Sequence, residues 1–206
     1  MTIRLHAGDL PANLDLGPVV AIDTETLGLE VGRDRLCLVQ LSRGDGAAEI
    51  VQIAPGQKRA PNLERLLADP NVLKLFHFGR FDMAALSHAF GVMASPVYCT
   101  KIASKIARTY TDRHGLKDLA RELLGVDISK QQQSSDWGAE TLTEAQLAYA
   151  AADVLHLHAL REKLDAMLVR EGRDGLARAA FAYLPERVRL DLAGFAAMDI
   201  FAHAAP

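Results

Sequence analysis

The chain has 206 residues, 50% of them apolar and 24% charged, with a formal net charge of −3. That length and balance predict one globular domain with at most a small appendage, and no apolar run is long enough to span a bilayer. The opening "MTIRLHAGDL" carries polar and acidic residues where a secretory leader would be hydrophobic, so a cytoplasmic location is expected. Two cysteines, Cys37 and Cys99, favour neither a disulfide framework nor a cysteine zinc site.

In chain order, strand-like runs come first: 19–23, "LCLVQLS" at 36–42 and "AEIVQIA" at 48–54, separated by glycine-rich turns. "PNLERLLAD" reads as a short helix with Leu63, Leu66 and Leu67 on one face. "VLKLFHF" at 72–78 is a fourth strand. It leads into a helix over 80–90 that Gly91 stops. "PVYC" at 96–99 is a fifth strand, and Thr100 is expected to cap the helix that follows. Leu116, Leu119 and Leu123 mark another helix, ended by Gly125. Residues 126–140 have no period and read as a loop. A long helix is expected from the Thr143–Gln146 capping box to about Val169. The Ala-rich remainder reads as helical. Strands interleaved with helices indicate an α/β fold on a mixed five-stranded sheet.

Residues 101–121 hold Lys101, Lys105, Arg108, Arg113, Lys117 and Arg121 against only Asp112 and Asp118. Alone, such a run is an ordinary solvated helix face. Beside an acidic centre it would guide phosphates. The acids that would form such a centre stand at four places. Asp23 and Glu25, one residue apart on a strand, face the same side. Asp82 falls in the first turn of a helix, where the helix dipole should keep it ionised. Asp153 sits mid-helix among apolar residues, one turn after Tyr149. Any one of these acids is ordinarily a cap or a surface charge. Together they form an all-oxygen donor set suited to a hard cation such as Mg²⁺ or Mn²⁺. Two such ions about 3.5–4 Å apart can clamp the oxygens of a phosphodiester under attack.

"DTE" at 23–25, "HFGRFDMAAL" at 77–86 and "YAAAD" at 149–153 resemble, in that order, the motifs of the DEDD 3′–5′ exonucleases. Tyr149, four residues before the last Asp, matches the tyrosine subgroup that includes RNase D. Ala148 stands where the sister subgroup carries histidine. "HGLKDLARELLGVDISKQQQSSDW" and "LTEAQLAYAAADVLHLHALREKL" extend the similarity over about residues 15–170. Over the 206 residues the RNA-binding domains of RNase D are not expected, and a chain of this form resembles the nanoRNase C group.

The resemblance implies a ribonuclease H-like catalytic domain over 1–170 and a helical tail over 171–206 at subunit contacts. It implies that Asp23, Glu25, Asp82 and Asp153 hold two divalent cations and that Tyr149 orients the attacking water. It implies cleavage of short oligoribonucleotides, dinucleotides included, to 5′-mononucleotides, in a closed octameric ring. DNA or longer structured RNA is the alternative substrate, and a nonenzymatic binding module the alternative class. Thr24, Leu27, His77, Phe78, Gln133 and Trp137 are the candidate substrate contacts. For Leu27 and Phe78 a place in the core is the competing reading. Trp137 reads equally as the packing anchor of its loop, whose other polar donors are Lys130, Ser134, Ser135 and Asp136. His156 and His158 diverge on their helix and are assigned no metal.

Overall fold

The computed structural model describes residues 2–129 and 131–203. Six strands form one mixed sheet: β1 (Thr2–Ala7), β2 (Val19–Thr26), β3 (Leu36–Ser42), β4 (Ala47–Gln52), β5 (Leu73–Phe76) and β6 (Val97–Cys99), in the spatial order β1-β4-β3-β2-β5-β6. The β2–β3–β4 meander is antiparallel, whereas β1 joins β4, β5 joins β2 and β6 joins β5 in parallel. β2 therefore lies where the sheet changes from antiparallel to parallel pairing.

The sixth strand is the first correction to the sequence reading. β1 has only two partly buried positions, Ile3 and His6, and their spacing of three does not follow strand alternation, because β1 is an edge strand that is otherwise exposed. Its periodicity is correspondingly faint. β3 is the opposite case: all seven residues are buried, Gln40 and Ser42 included, which marks a central strand covered on both faces.

Seven helices follow, among the described residues: α1 (Pro61–Ala68), α2 (Gly79–Phe90), α3 (Thr100–Ala107), α4 (Leu116–Leu119), α5 (Glu144–Leu155), α6 (Leu157–Arg170) and α7 (Asp174–Leu190). α4 runs directly into a π-helical turn over Ala120–Leu124, which Gly125 closes in the left-handed conformation that glycine tolerates. A second π-helical turn, Asp191–Phe195, continues α7.

Two helix expectations need correction. The single long helix expected over 143–169 is broken at His156 into α5 and α6, and His158 beyond the break donates through Nε2 to the Val19 carbonyl at 3.2 Å. Thr100 is the first residue of α3 rather than its cap, and its hydroxyl bonds instead to the Phe76 carbonyl. The Thr143 cap is as expected. Thr143 Oγ1 accepts from the Gln146 amide, and the Gln146 side chain accepts in return from the Thr143 amide.

The main core joins β2, β3 and β5 to Leu63 and Leu67 of α1, Met83 and Leu86 of α2, and Leu157, Leu160 and Leu164 of α6. A smaller cluster of Cys37, Leu38, Ile50, Trp137, Leu142 and Ala150 lies under α5. α7 buries Ala177, Phe181, Leu184 and Val188, and Phe181 packs its ring 4.4 Å from that of Tyr98. Its other face and the segment beyond leave Leu192, Phe195, Met198, Ile200 and Phe201 exposed. Both cysteines are buried and free.

Candidate active site

Alternation along β2 sends Asp23 and Glu25 to one face and Thr24 to the other. α5 crosses the first face, with its capping box at the first turn and Tyr149 and Asp153 on successive later turns. One ligand oxygen from each of Asp23, Glu25 and Asp153 lies within 4.8 Å of the others. Asp82 arrives from the first turn of α2. Its Oδ1 accepts a 2.7 Å hydrogen bond from Thr24 Oγ1, so Thr24, a candidate substrate contact, spends its hydroxyl on aiming Asp82. All four acids and Tyr149 line one cavity of about 670 Å³.

Asp82 is buried and Asp23, Glu25 and Asp153 are partly buried, and four carboxyls so placed without a cationic partner among the described residues carry an electrostatic cost. Desolvation, then repulsion from Asp82, Asp153 and Glu25, raises the Asp23 carboxyl well above its ordinary range. Glu25 is pushed up to about 8 by burial and by Asp153 and Asp82. Burial takes Asp82 and Asp153 each to about 7. For Asp82 this corrects the expectation of a carboxylate kept ionised by its helix: loss of water outweighs the helix terminus and the Thr24 hydrogen bond. Burial and the nearby acids also raise the Tyr149 phenol, which keeps its proton at neutral pH and can donate it in a hydrogen bond.

An all-oxygen donor set whose charges have no ion-pair partner among the described residues fits a divalent cation. The acids would then be held ionised by the metal instead of by solvent.

The rim of the cavity follows from local backbone geometry. The β2–β3 register slips between Glu25 and Thr26, and this bulge turns the chain outward. Leu27 is thereby 53% exposed at the cavity rather than in the core. Phe78 is likewise no core residue. It is 46% exposed and sits before α2 with φ +64°, a left-handed conformation that costs a non-glycine residue energy. The Lys101 ammonium lies 4.3 Å from the centre of its ring.

Behind Phe78, His77 is partly buried at the cavity wall, and loss of water together with Lys101 drives its pKa down to about 3. The ring is therefore neutral. Thr100 Oγ1 donates to the Phe76 carbonyl at 3.2 Å and stands 2.9 Å from His77 Nδ1, so Nδ1–H donates to Thr100 and Nε2 is left as an acceptor.

Trp137 is buried against Leu38, Ile50 and Ala150, with its ring 5.9 Å from that of Tyr149, which makes it a packing anchor beside the site. Gln133, Ser134 and Ser135 line the cavity from the loop, whereas Asp136 instead accepts from the Gly138 amide. Lys130 lies outside the described residues. The loop is pinned by Arg35 to the Gly138 carbonyl, by Gln52 to the Ala139 and Glu140 carbonyls, and by Gln146 to the Asp136 carbonyl.

The basic run forms no phosphate-guiding patch among the described residues, which leaves the ordinary reading of such a run in place. Arg108 is fully buried and paired with Glu122, Arg121 pairs with Asp118, and only Lys117 of the six cations lines the acidic cavity. Its sequence signal, one cation within "HGLKDLA", was not separable from its neighbours. Phe81, Leu29 and Ile128 also line the cavity without having been singled out.

A mixed sheet that changes pairing at β2, with four acids and a phenol converging beside it, defines a ribonuclease H-like 3′–5′ exonuclease of the DEDD class. Comparison with known proteins agrees. Residues 7–169 match the family described as 3′-5′ exonuclease, and the chain belongs to that family. The class acts with divalent metal ions.

Among solved structures, Brucella melitensis NrnC with bound Mg²⁺ is 61% identical with a TM-score of 0.95, covering 99% of this chain and all of that one. The same protein bound to pGG is 60% identical with a TM-score of 0.94, again over 99% of this chain and all of that one. Escherichia coli RNase D, an exoribonuclease involved in structured RNA processing, is 28% identical with a TM-score of 0.74, over 84% of this chain and 45% of that one. Ribonuclease D of Gluconacetobacter diazotrophicus is 41% identical over 156 residues, which are 76% of this chain and 39% of that protein. The chain thus spans about two fifths of the length of the curated relatives it matches.

Proposed function

We propose that this exonuclease completes RNA decay by hydrolysing short oligoribonucleotides, dinucleotides included, to 5′-mononucleotides. The observation that carries the reading is the tight group of Asp23, Glu25 and Asp153 oxygens in a cavity of small-molecule size, about 670 Å³, rimmed by the exposed Leu27, Leu29 and Phe78. NrnC, similar over its whole length, has been captured with pGG, a dinucleotide bearing a 5′ phosphate.

Asp23, Glu25 and Asp153 would hold one divalent cation, and Asp23 with Asp82 a second. Mg²⁺ and Mn²⁺ both suit these oxygens. When bound, a pair of such ions lowers the pKa of water and neutralises charge building on the phosphoryl oxygens.

The protein's own groups do the rest. The Tyr149 phenol, held protonated, donates a hydrogen bond that orients the attacking water in line with the last phosphodiester. Leu27 enters between the terminal bases, and Phe78, steadied by Lys101, offers a face for stacking. His77 Nε2 accepts from a hydroxyl of the terminal sugar. Lys117 and Gln133 contact phosphate, and Trp137 holds the loop that presents Gln133.

In this reading residues 1–170 form the catalytic domain and 171–206 a tail at contacts between subunits, closing an octameric ring. The exposed apolar side chains from Leu192 to Phe201 support that role. The enzyme would work in the cytoplasm. Among the described residues no helix is long and apolar enough to cross a membrane.

Product analysis on matched RNA and DNA series from two nucleotides upward, with Mn²⁺ and with chelator, tests the proposal. Fast, metal-dependent conversion of RNA dinucleotides to 5′-mononucleotides is expected. Trimming of long chains with dinucleotides left intact would replace it with the longer-substrate reading. RNA bound but uncut with every divalent ion would leave a binding module.

A further inference from the structure

Gln40, in the middle of β3, is fully buried. Strand pairing sets it directly opposite Asp23 on β2 and Ile50 on β4. Residues paired in this way project from the same face of the sheet, so Gln40 lies beneath the acids, on the side that α5 covers. Neither Oε1 nor Nε2 of its amide has a hydrogen-bond partner among the described residues. Buried polar groups are nearly always satisfied. An orphaned amide at the centre of a sheet, one strand from a metal-ligating carboxyl, therefore requires an explanation.

Its neighbours on that face narrow the choice of partner. Leu38 and Ile50 are apolar and belong to the small cluster with Trp137 and Ala150. Ser42 already donates to the Ala47 carbonyl, and Gln52 to the Ala139 and Glu140 carbonyls. Trp137 Nε1, in that cluster, is also buried without a partner among the described residues, but an indole N–H only donates and cannot take the Gln40 N–H. Asp23 is the acceptor directly across from Gln40. Carboxylates that bind metal ions are generally held by hydrogen bonds from outside the coordination sphere, and loss of such a partner costs about 10- to 100-fold in metal affinity or activity.

We propose that Gln40 is a positioning residue for Asp23: with the cations bound, Gln40 Nε2–H donates to the Asp23 oxygen turned away from the metal and fixes the carboxylate's rotamer. This rests on the reading of Asp23 as a metal ligand. Gln40 is sealed from the cavity and touches no substrate, so its effect passes entirely through Asp23.

Gln40→Met keeps the length of the side chain and removes the donor. Calorimetric titration with Mn²⁺ alone, dinucleotide kinetics and thermal melting of the metal-free protein are then compared with wild type. The expected result is a 10- to 100-fold weaker Mn²⁺ affinity, a lower kcat at fixed Mn²⁺, an unchanged KM and a melting temperature no lower than wild type. Unchanged Mn²⁺ affinity overturns the proposal. So does a loss of affinity matched by a loss of melting temperature, the mark of a merely structural residue.

Asp23→Asn separates the two levels. If it weakens Mn²⁺ binding and Gln40→Met does not, only the positioning role fails. If it leaves Mn²⁺ binding intact, the metal-ligand reading fails as well. A crystal structure of the wild-type protein with Mn²⁺ gives a result independent of any variant: Gln40 Nε2 within about 3.2 Å of an Asp23 oxygen is expected, and separation beyond that distance overturns the proposal.

Discussion

Glu25→Gln should stabilise the metal-free protein while destroying its activity, and the gain should depend on pH. The Glu25 carboxyl is raised from 4.5 to about 8 in the folded chain, first by burial and then by Asp153 and Asp82. The unfolded chain ionises near the ordinary value. Between those two values the folded state therefore holds a proton that the unfolded state has lost, and stability falls as pH rises. Each pH unit in that window is worth about 1.4 kcal/mol for one group. From pH 5 to pH 8 this amounts to about 3 kcal/mol for Glu25 alone.

Glutamine has the same shape and no charge, so the variant escapes that loss. At about 2–4 °C per kcal/mol for a chain of this size, it should melt about 6–12 °C above wild type at pH 8 and close to wild type at pH 5. Circular dichroism melts in chelator at the two pH values measure this directly. Added Mn²⁺ should then raise the wild-type melting temperature more than that of the variant, because only the intact set binds the ion fully. A gain of equal size at both pH values, or no gain at pH 8, would refute the claim that Glu25 carries an uncompensated charge.

Asp153→Asn should lower kcat for a dinucleotide by at least about 10³-fold, as loss of an essential electrostatic group does, and circular dichroism should show it folded. Apparent Mn²⁺ affinity should rise steeply between pH 6 and pH 8 and level off above. Asp82 and Asp153 near 7 and Glu25 near 8 must lose protons before they can ligate, and calorimetry in buffers of different ionisation heat would detect the protons released. Gly79→Ala should destabilise the protein by about 1–3 kcal/mol in chemical denaturation. The added carbon would stand 2.6 Å from Phe76 Cβ at the start of α2, and the strained turn at Phe78 cannot relax to make room. Leu27→Ala should raise KM for a dinucleotide several-fold and leave the melting temperature within about 1 °C, since surface truncations change stability little. A large drop in melting temperature would instead place Leu27 in the core.

The parts of the site that sequence could show are those written in local periodicity. Asp23 and Glu25 alternate with a buried partner on a strand, and Tyr149 and Asp153 are one helical turn apart, so their sharing of faces needs no tertiary information. β1 escaped notice because an edge strand that is mostly exposed leaves little pattern. The break at His156 escaped because apolar spacing continues through it from Leu155 to Leu157, and the contact that accompanies it, His158 with Val19, spans 139 residues. The same limit hid the service that Thr24 gives Asp82 and the relay from His77 through Thr100 to Phe76. Each depends on which side chain stands across a sheet or a turn. The basic run shows a related limit: charge counted along the chain cannot distinguish Arg108, buried against Glu122, from Lys117 at the cavity.

Arg80 forks onto both carboxylate oxygens of Asp191, at 2.5 and 2.8 Å, and also donates to the Ala196 carbonyl at 2.9 Å. It stands two residues before Asp82, on the same helical turn. Alterations near the end of the chain, such as trimming back to residue 190 or fusing a bulky tag, therefore pull on the helix that carries Asp82. Preparations that differ only in that region should be compared for turnover before their rates are attributed to substrate chemistry.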